Sequence, residues 1–109
     1  MQNALTITFR HLDPSEAIET LVRQRFDDLE KLFPRIVSCG VVIEAPQKRK
    51  VSGREFKVHL KISIPGPDIN VTSEGRDGVA SENVNLAIHD AFDTAGRLLI
   101  ERKQKMAGR

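Results

Sequence analysis

From Leu5 the chain alternates. Leu5, Ile7 and Phe9 are apolar, while Thr6, Thr8 and Arg10 are polar. This two-residue period in β-favouring side chains predicts a half-buried strand. The period then changes: Ile18, Leu21, Val22, Phe26, Leu29, Leu32 and Phe33 recur at spacings of three and four, which predicts a helix with one apolar face. Asp13-Pro14-Ser15-Glu16 reads as its start, with Asp13 as the capping carboxylate and Pro14 at the first helical position. Glu16 then falls three residues after the cap, as in a capping box. Pro34 closes the helix, because a residue before proline is pushed out of the helical region.

A second strand is predicted from about Val37 to Ala45, with Val37, Cys39, Val41 and Ile43 on one face. Residues Pro46 to Gly53 form a basic loop ending in a Ser-Gly turn. The third strand has the clearest alternation: Phe56, Val58, Leu60, Ile62 and Ile64 point one way, and Lys57, His59, Lys61 and Ser63 the other. Such a pattern belongs to a sheet with one packed face and one wet face. "PGPD" is a turn, Ile69, Val71 and Ser73 make a short fourth strand, and "EGRDGVAS" is a loop in which Ser81 can cap a last helix. Val84, Ala87, Ile88, Ala91, Phe92, Ala95, Leu98 and Leu99 form that helix's buried stripe, with Gly96 inside it and Ile100 off it.

The order is therefore β-α-β-β-β-α, an α+β protein in a single domain over residues 1–109. Two one-sided helices and a one-sided sheet are satisfied together if both helices pack on the same face of a four-stranded mixed sheet. The first two strands, joined by a helix, are expected to be parallel neighbours with a right-handed crossover, and the others to follow as hairpins.

Composition narrows the function classes. With 39% hydrophobic and 29% charged residues, the chain of 109 is an ordinary globular sequence. It has no Trp and no Tyr, which argues against a surface that stacks several bases on exposed rings. One cysteine, Cys39, leaves no internal disulfide and fits a reducing compartment. The start lacks a signal-like apolar region and no segment nears bilayer-spanning length, so a cytoplasmic protein without a membrane partner is expected. The net charge of +2 conceals segregation. Lys48, Arg49 and Lys50 form one block, and Arg97, Arg102, Lys103, Lys105 and Arg109 crowd the C-terminal end, opposed there only by Glu101.

Catalytic patterns do not emerge. His11, His59 and His89 fall on different elements without metal-like spacing. His89 and Asp93, four apart on the last helix, form a solvated pair more readily than a cation site. Cys39 lies on a predicted core face, where a buried small hydrophobe is expected rather than a nucleophile. Ser15 and Ser81 belong to helix starts, and Gly75 and Gly78 do not make a phosphate loop. The expectation is a non-enzyme with no cofactor, no metal and no small-molecule substrate. What remains is basic surface. Arg97, Arg102 and Lys105 are expected along one side of the last helix, with Arg23 and Lys31 on the outside of the first. Packed side by side, the helices would offer these cations to phosphates.

The opening "LTITFRHLDPSEAIETLVRQRFDDLEKLF", the strand "VVIEA" and the helix "LAIHDAFDTAGRLLIERKQK" together resemble the ribosome hibernation-promoting factor family, also described as ribosome-associated inhibitor or sigma-54 modulation proteins. The similarity runs through Leu29-Glu30-Lys31 and through Ala87, Ile88, Ala91, Asp93, Arg97 and Leu99. It implies a double-stranded-RNA-binding-domain-like fold on the small ribosomal subunit. There the family occupies the channel of messenger and transfer RNA, contacts rRNA, and silences translation in stationary phase or stress. The expected RNA-binding residues are Arg23, Lys31, Lys48, Arg49, Lys50, Arg97, Arg102, Lys103 and Lys105, with Arg10 a secondary candidate. Asp28, Thr94 and Glu101 stand where relatives commonly carry lysine, and "DGVASENVNLAI" replaces an aromatic-containing lead-in to the last helix. The resemblance is to the short form, without a C-terminal dimerisation domain, so a monomer or weak homodimer is expected. Two other readings stay open: a general binder of structured RNA, and a diverged protein-interaction module.

Overall fold

The first strand, β1 (Ala4–Arg10), ends where the sequence alternation ends. His11 leaves it at φ 63°, a left-handed conformation that His adopts more readily than most side chains. The chain then enters α1 (Glu16–Leu32). The computed structural model describes residues 4–45, 56–73 and 84–107; the basic block 48–50 and the cap expected at Ser81 lie outside them. The remaining elements are β2 (Ser38–Glu44), β3 (Lys57–Ser63), β4 (Ile69–Ser73) and α2 (Val84–Ala107).

The helix start differs from the expected one. Ser15, not Asp13, is the N-cap: its backbone is extended (φ −133°, ψ 123°) and its Oγ accepts from the Ile18 N–H at 3.3 Å. Pro14 therefore precedes the cap, and Glu16 opens the first turn, where its charge suits the helix dipole. A serine directly before the apolar-periodic segment is an equally good acceptor for an orphan N–H and lies closer to it. The helix ends at Leu32 with Phe33 as C-cap, just ahead of Pro34.

The four strands lie in the order β1-β2-β3-β4, with β1 and β2 parallel and the other two pairs antiparallel. This is the mixed α+β arrangement the element order predicts. Cys39, Val41, Ile43, Val58, Leu60, Ile62, Ile69 and Val71 point to one face, and with Val22, Phe26 and Leu29 of α1 and Ala87, Ile88, Ala91, Phe92, Ala95 and Leu99 of α2 they make one core. Val37 departs from expectation, being 62% exposed. The turn after α1, closed by the Ile36 N–H on the Phe33 carbonyl, sends Ile36 into the core instead (3% exposed) and Val37 outward.

Gly96 sits where α2 crosses α1. A methyl group there would meet Leu29 Cδ2 at 3.8 Å and Leu32 Cδ2 at 4.0 Å, ordinary contact distances. Nothing steric requires the glycine, so Gly96→Ala should stabilise the protein by about 1 kcal/mol through helix propensity. A urea unfolding curve whose midpoint falls in the variant would contradict this.

Candidate nucleic-acid interface

Among the described residues, the cations expected to touch RNA have different neighbourhoods. Arg23 and Lys31 are exposed on α1, Lys31 in its last turn. Arg97 is exposed and donates from Nη2 to Thr94 Oγ1 at 3.3 Å. Arg102 is half-buried and reaches the turn after β3, where Nη1 lies 3.4 Å from the Pro65 carbonyl oxygen. Lys103 leans the other way, with Nζ 3.4 Å from the carbonyl oxygen of Leu32 at the end of α1. An ammonium beside the C-terminal carbonyls of one helix, carried on the last turns of another, is favourable for both dipoles.

The shared side expected for Arg97, Arg102 and Lys105 resolves into two places. Arg97 lines a groove between α1 and α2, together with the apolar residues Leu29, Leu32, Phe92 and Ile100. Arg102 and Lys105 line a depression between α2 and β4, together with Asp68 and Glu101. The reason is helical geometry: five residues at 100° each place Arg97 and Arg102 about 140° apart on α2.

The groove also contains a cation that sequence reading passed over. Arg25 Nη2 lies 3.0 Å from Asp28 Oδ2, and its Nε is buried without a hydrogen-bond partner. Its position one residue before Phe26, at the edge of the apolar stripe, was the available signal. A partly exposed pair of this kind contributes little to stability, about 0–1 kcal/mol. It does mean that Asp28, where lysine would be usual in the family resemblance, neutralises the groove.

Charge across the helical layer is close to balanced. α1 carries Arg23, Arg25 and Lys31 against five carboxylates, and α2 carries Arg97, Arg102, Lys103 and Lys105 against three. Only the C-terminal half of α2 has a clear basic excess. The aromatic residues offer no stacking platform: Phe26, Phe33 and Phe92 are buried, and Phe9 and Phe56 are packed against the core. Any nucleic-acid affinity of this surface rests on phosphate contacts, and so falls steeply with salt.

Cys39 is 1% exposed, and burial pushes its thiol up to about 12 from 9.0. A thiol that stays protonated and covered is a poor nucleophile. Alkylation by iodoacetamide at pH 8 should therefore proceed only at the rate of protein opening and accelerate sharply in denaturant. Rapid labelling of the folded protein would contradict the burial. Because the folded state holds this proton more tightly, its contribution to stability is intact below pH 9 and declines as pH rises toward 12.

Comparison with known proteins agrees with this architecture. The profile of the family described as "Sigma 54 modulation protein / S30EA ribosomal protein" matches residues 5–107. The ribosome hibernation promoting factor of Salmonella typhimurium is 28% identical over 102 residues, covering 94% of this chain and 95% of that protein. Among solved structures, a ribosomal subunit interface protein from Coxiella burnetii superposes with a TM-score of 0.74 at 14% identity, covering 93% of this chain and 98% of that one. The N-terminal domain of Thermus thermophilus Protein Y gives 0.68 at 18% identity, covering 90% and 96%. The structural likenesses establish the fold, and the family match over nearly the whole chain establishes kinship: this protein belongs to the sigma-54 modulation protein / S30EA ribosomal protein family.

Proposed function

We propose that this protein is a non-catalytic, cytoplasmic ribosome-associated factor. It binds small-subunit rRNA in the channel of messenger and transfer RNA and silences translation during stationary phase or stress. The observation that carries the reading is the family match over residues 5–107, supported by a Salmonella relative whose name is that of a ribosome hibernation promoting factor. Inhibition of this kind needs no reacting group, since occupancy of the channel excludes its normal ligands. The cations proposed to meet phosphate are Arg23, Lys31, Arg97, Arg102, Lys103 and Lys105, with Lys48, Arg49 and Lys50 beyond the described residues. Arg25 joins them once a phosphate competes with Asp28.

Cosedimentation with ribosomes tests this reading. The protein should pellet with small subunits and whole ribosomes at low salt and be released as salt rises. Failure to pellet at low salt would sink it.

A second reading, a protein-interaction module, draws on the interhelical groove. Asp28 and Asp93 line it, as does Ile100, which is 40% exposed. It predicts a stable protein partner or homodimer and negligible RNA affinity.

A further inference from the structure

The sheet has a second face, and its charge and shape differ from those of the helical layer. Alternation along each strand and the register between strands place Thr6, Gly40, Lys61 and Asn70 in one row across it. Thr8, Val42, His59 and Thr72 form the next row, and Arg10, Glu44 and Lys57 the one beyond. Ser38 and Ser63 pair on the other side of the Gly40 row. Neither α1 nor α2 covers these positions: Thr6, Thr8, Arg10, Lys57, Lys61, Asn70 and Thr72 are exposed. The described cations of this face are Arg10, Lys57 and Lys61, against the single carboxylate Glu44, so its balance is positive where that of the helices is not.

Around Gly40 the face has a depression of about 250 Å³, lined by Thr6, Ser38, Cys39, Gly40, Lys61 and Ser63. A Cβ built on Gly40 would meet nothing within 4 Å, so the missing side chain leaves open space rather than relieving a clash. β2 is an interior strand whose N–H groups serve the ladder. The donors available to a guest are therefore the three hydroxyls and the Lys61 ammonium. Glycine within a strand commonly marks a place where a ligand or another backbone approaches closely. The groove between the helices contains Asp28 and Asp93, and the depression beside β4 contains Asp68 and Glu101. The Gly40 depression has no acidic residue in its lining; Glu44, four residues along β2, is about 13 Å away. Of these three recesses it alone is complementary to an anion.

We propose that the niche over Gly40 holds a backbone phosphate of RNA, with Lys61 as its counter-charge and Thr6, Ser38 and Ser63 as its hydroxyl donors, and that Lys57 and Arg10 extend the same track. The proposal rests on the ribosome reading in one respect. A body that fills an RNA-walled channel meets phosphates on both of its faces, so the sheet would share the binding with α2.

The test compares wild type with Gly40→Val and Lys61→Glu. The Cβ of a valine has open space at this position and valine suits a strand better than glycine, so the fold should be retained, and circular dichroism checks this. In ribosome cosedimentation both variants should bind about tenfold or more weaker. For Lys61→Glu the slope of log affinity against log salt should also shrink by about one. In parallel, NMR titration of the wild type with a short RNA duplex should move the amides of Thr6, Gly40 and Lys61. Variants that bind ribosomes with wild-type affinity and slope overturn the proposal, as do RNA-induced shifts confined to α1 and α2. Shifts with inorganic phosphate but not with RNA assign a free-anion site and overturn the RNA assignment. An acidic peptide that moves these amides when RNA does not assigns the face to a protein partner and likewise overturns it. If wild type fails to pellet with ribosomes yet RNA still moves the Gly40 amide, the ribosome reading falls and the niche stands.

Discussion

Leu60→Ala should lower the unfolding free energy by about 2–5 kcal/mol, the range for truncating a fully buried leucine. Leu60 is completely covered, at the middle of β3, an interior strand paired with Val41 on one side and Val71 on the other. All three belong to the single core on which both helices pack. β3 itself is held by ladders on both sides and cannot readily collapse into the vacated space, so the value should fall in the upper half of that range. For a chain of this size the midpoint temperature should drop by on the order of 10 °C or more. Thermal and urea denaturation followed by circular dichroism measure it. A change under about 1 kcal/mol would mean that the strand order or the packed face is wrong.

Replacing Arg97, Arg102 and Lys105 together by Glu should weaken ribosome association by on the order of a hundredfold to a thousandfold and flatten its salt dependence by about three contacts. The prediction follows from the only part of the helical layer with a basic excess, the C-terminal half of α2. The three residues do not act alike. Arg97 faces the interhelical groove, while Arg102 and Lys105 face the depression beside β4. Arg102 must also give up its bond to the Pro65 carbonyl. Single variants should therefore be unequal, with Lys105→Glu affecting affinity and Arg102→Glu affecting affinity and the β3–β4 turn together. Acidic side chains near a helix C-terminus also oppose its dipole. A matched triple glutamine variant, with its melting curve, separates lost phosphate contacts from lost helix stability. Undiminished pelleting of the folded triple Glu variant would remove this half of α2 from the RNA-facing surface.

The two charge-based experiments divide the binding between faces. If the α2 variant and Lys61→Glu each lose part of the salt dependence, the protein is gripped from both sides. A loss confined to one set assigns the whole of it to one layer. The aromatic side chains are committed to the core, so neither face has a stacking contribution to compensate for lost charge.

Local pattern determined most of the fold. The period-two alternation of β1, β2 and β3 and the three-four spacing of the two helices name the core residues directly, because side-chain direction follows from backbone periodicity alone. The element order and the one-sided faces then leave few ways to cover the apolar surface, and the observed sheet order is one of them. The element-wide resemblance of the chain was likewise legible in its residues, and the match over residues 5–107 agrees with it. Junctions were less legible. Both Asp13 and Ser15 can cap, and both Ile36 and Val37 can enter a core. The choice between such neighbours depends on where the preceding element stops and how the chain turns.

Only the tertiary structure decided what the charged residues face. Arg97 and Arg102 are close in sequence yet line different recesses, because a helix separates them by rotation and each side of α2 has a different neighbour. Arg25 can pair with Asp28 within α1 alone, three residues on, but it gains its place in a groove only when α2 arrives beside α1. Gly40 reads as an ordinary weak point in a strand until the register sets Thr6 on one side and Lys61 on the other. Periodicity tells which way a side chain points; what it meets there is a matter of long-range register and packing, which no local stretch of sequence contains.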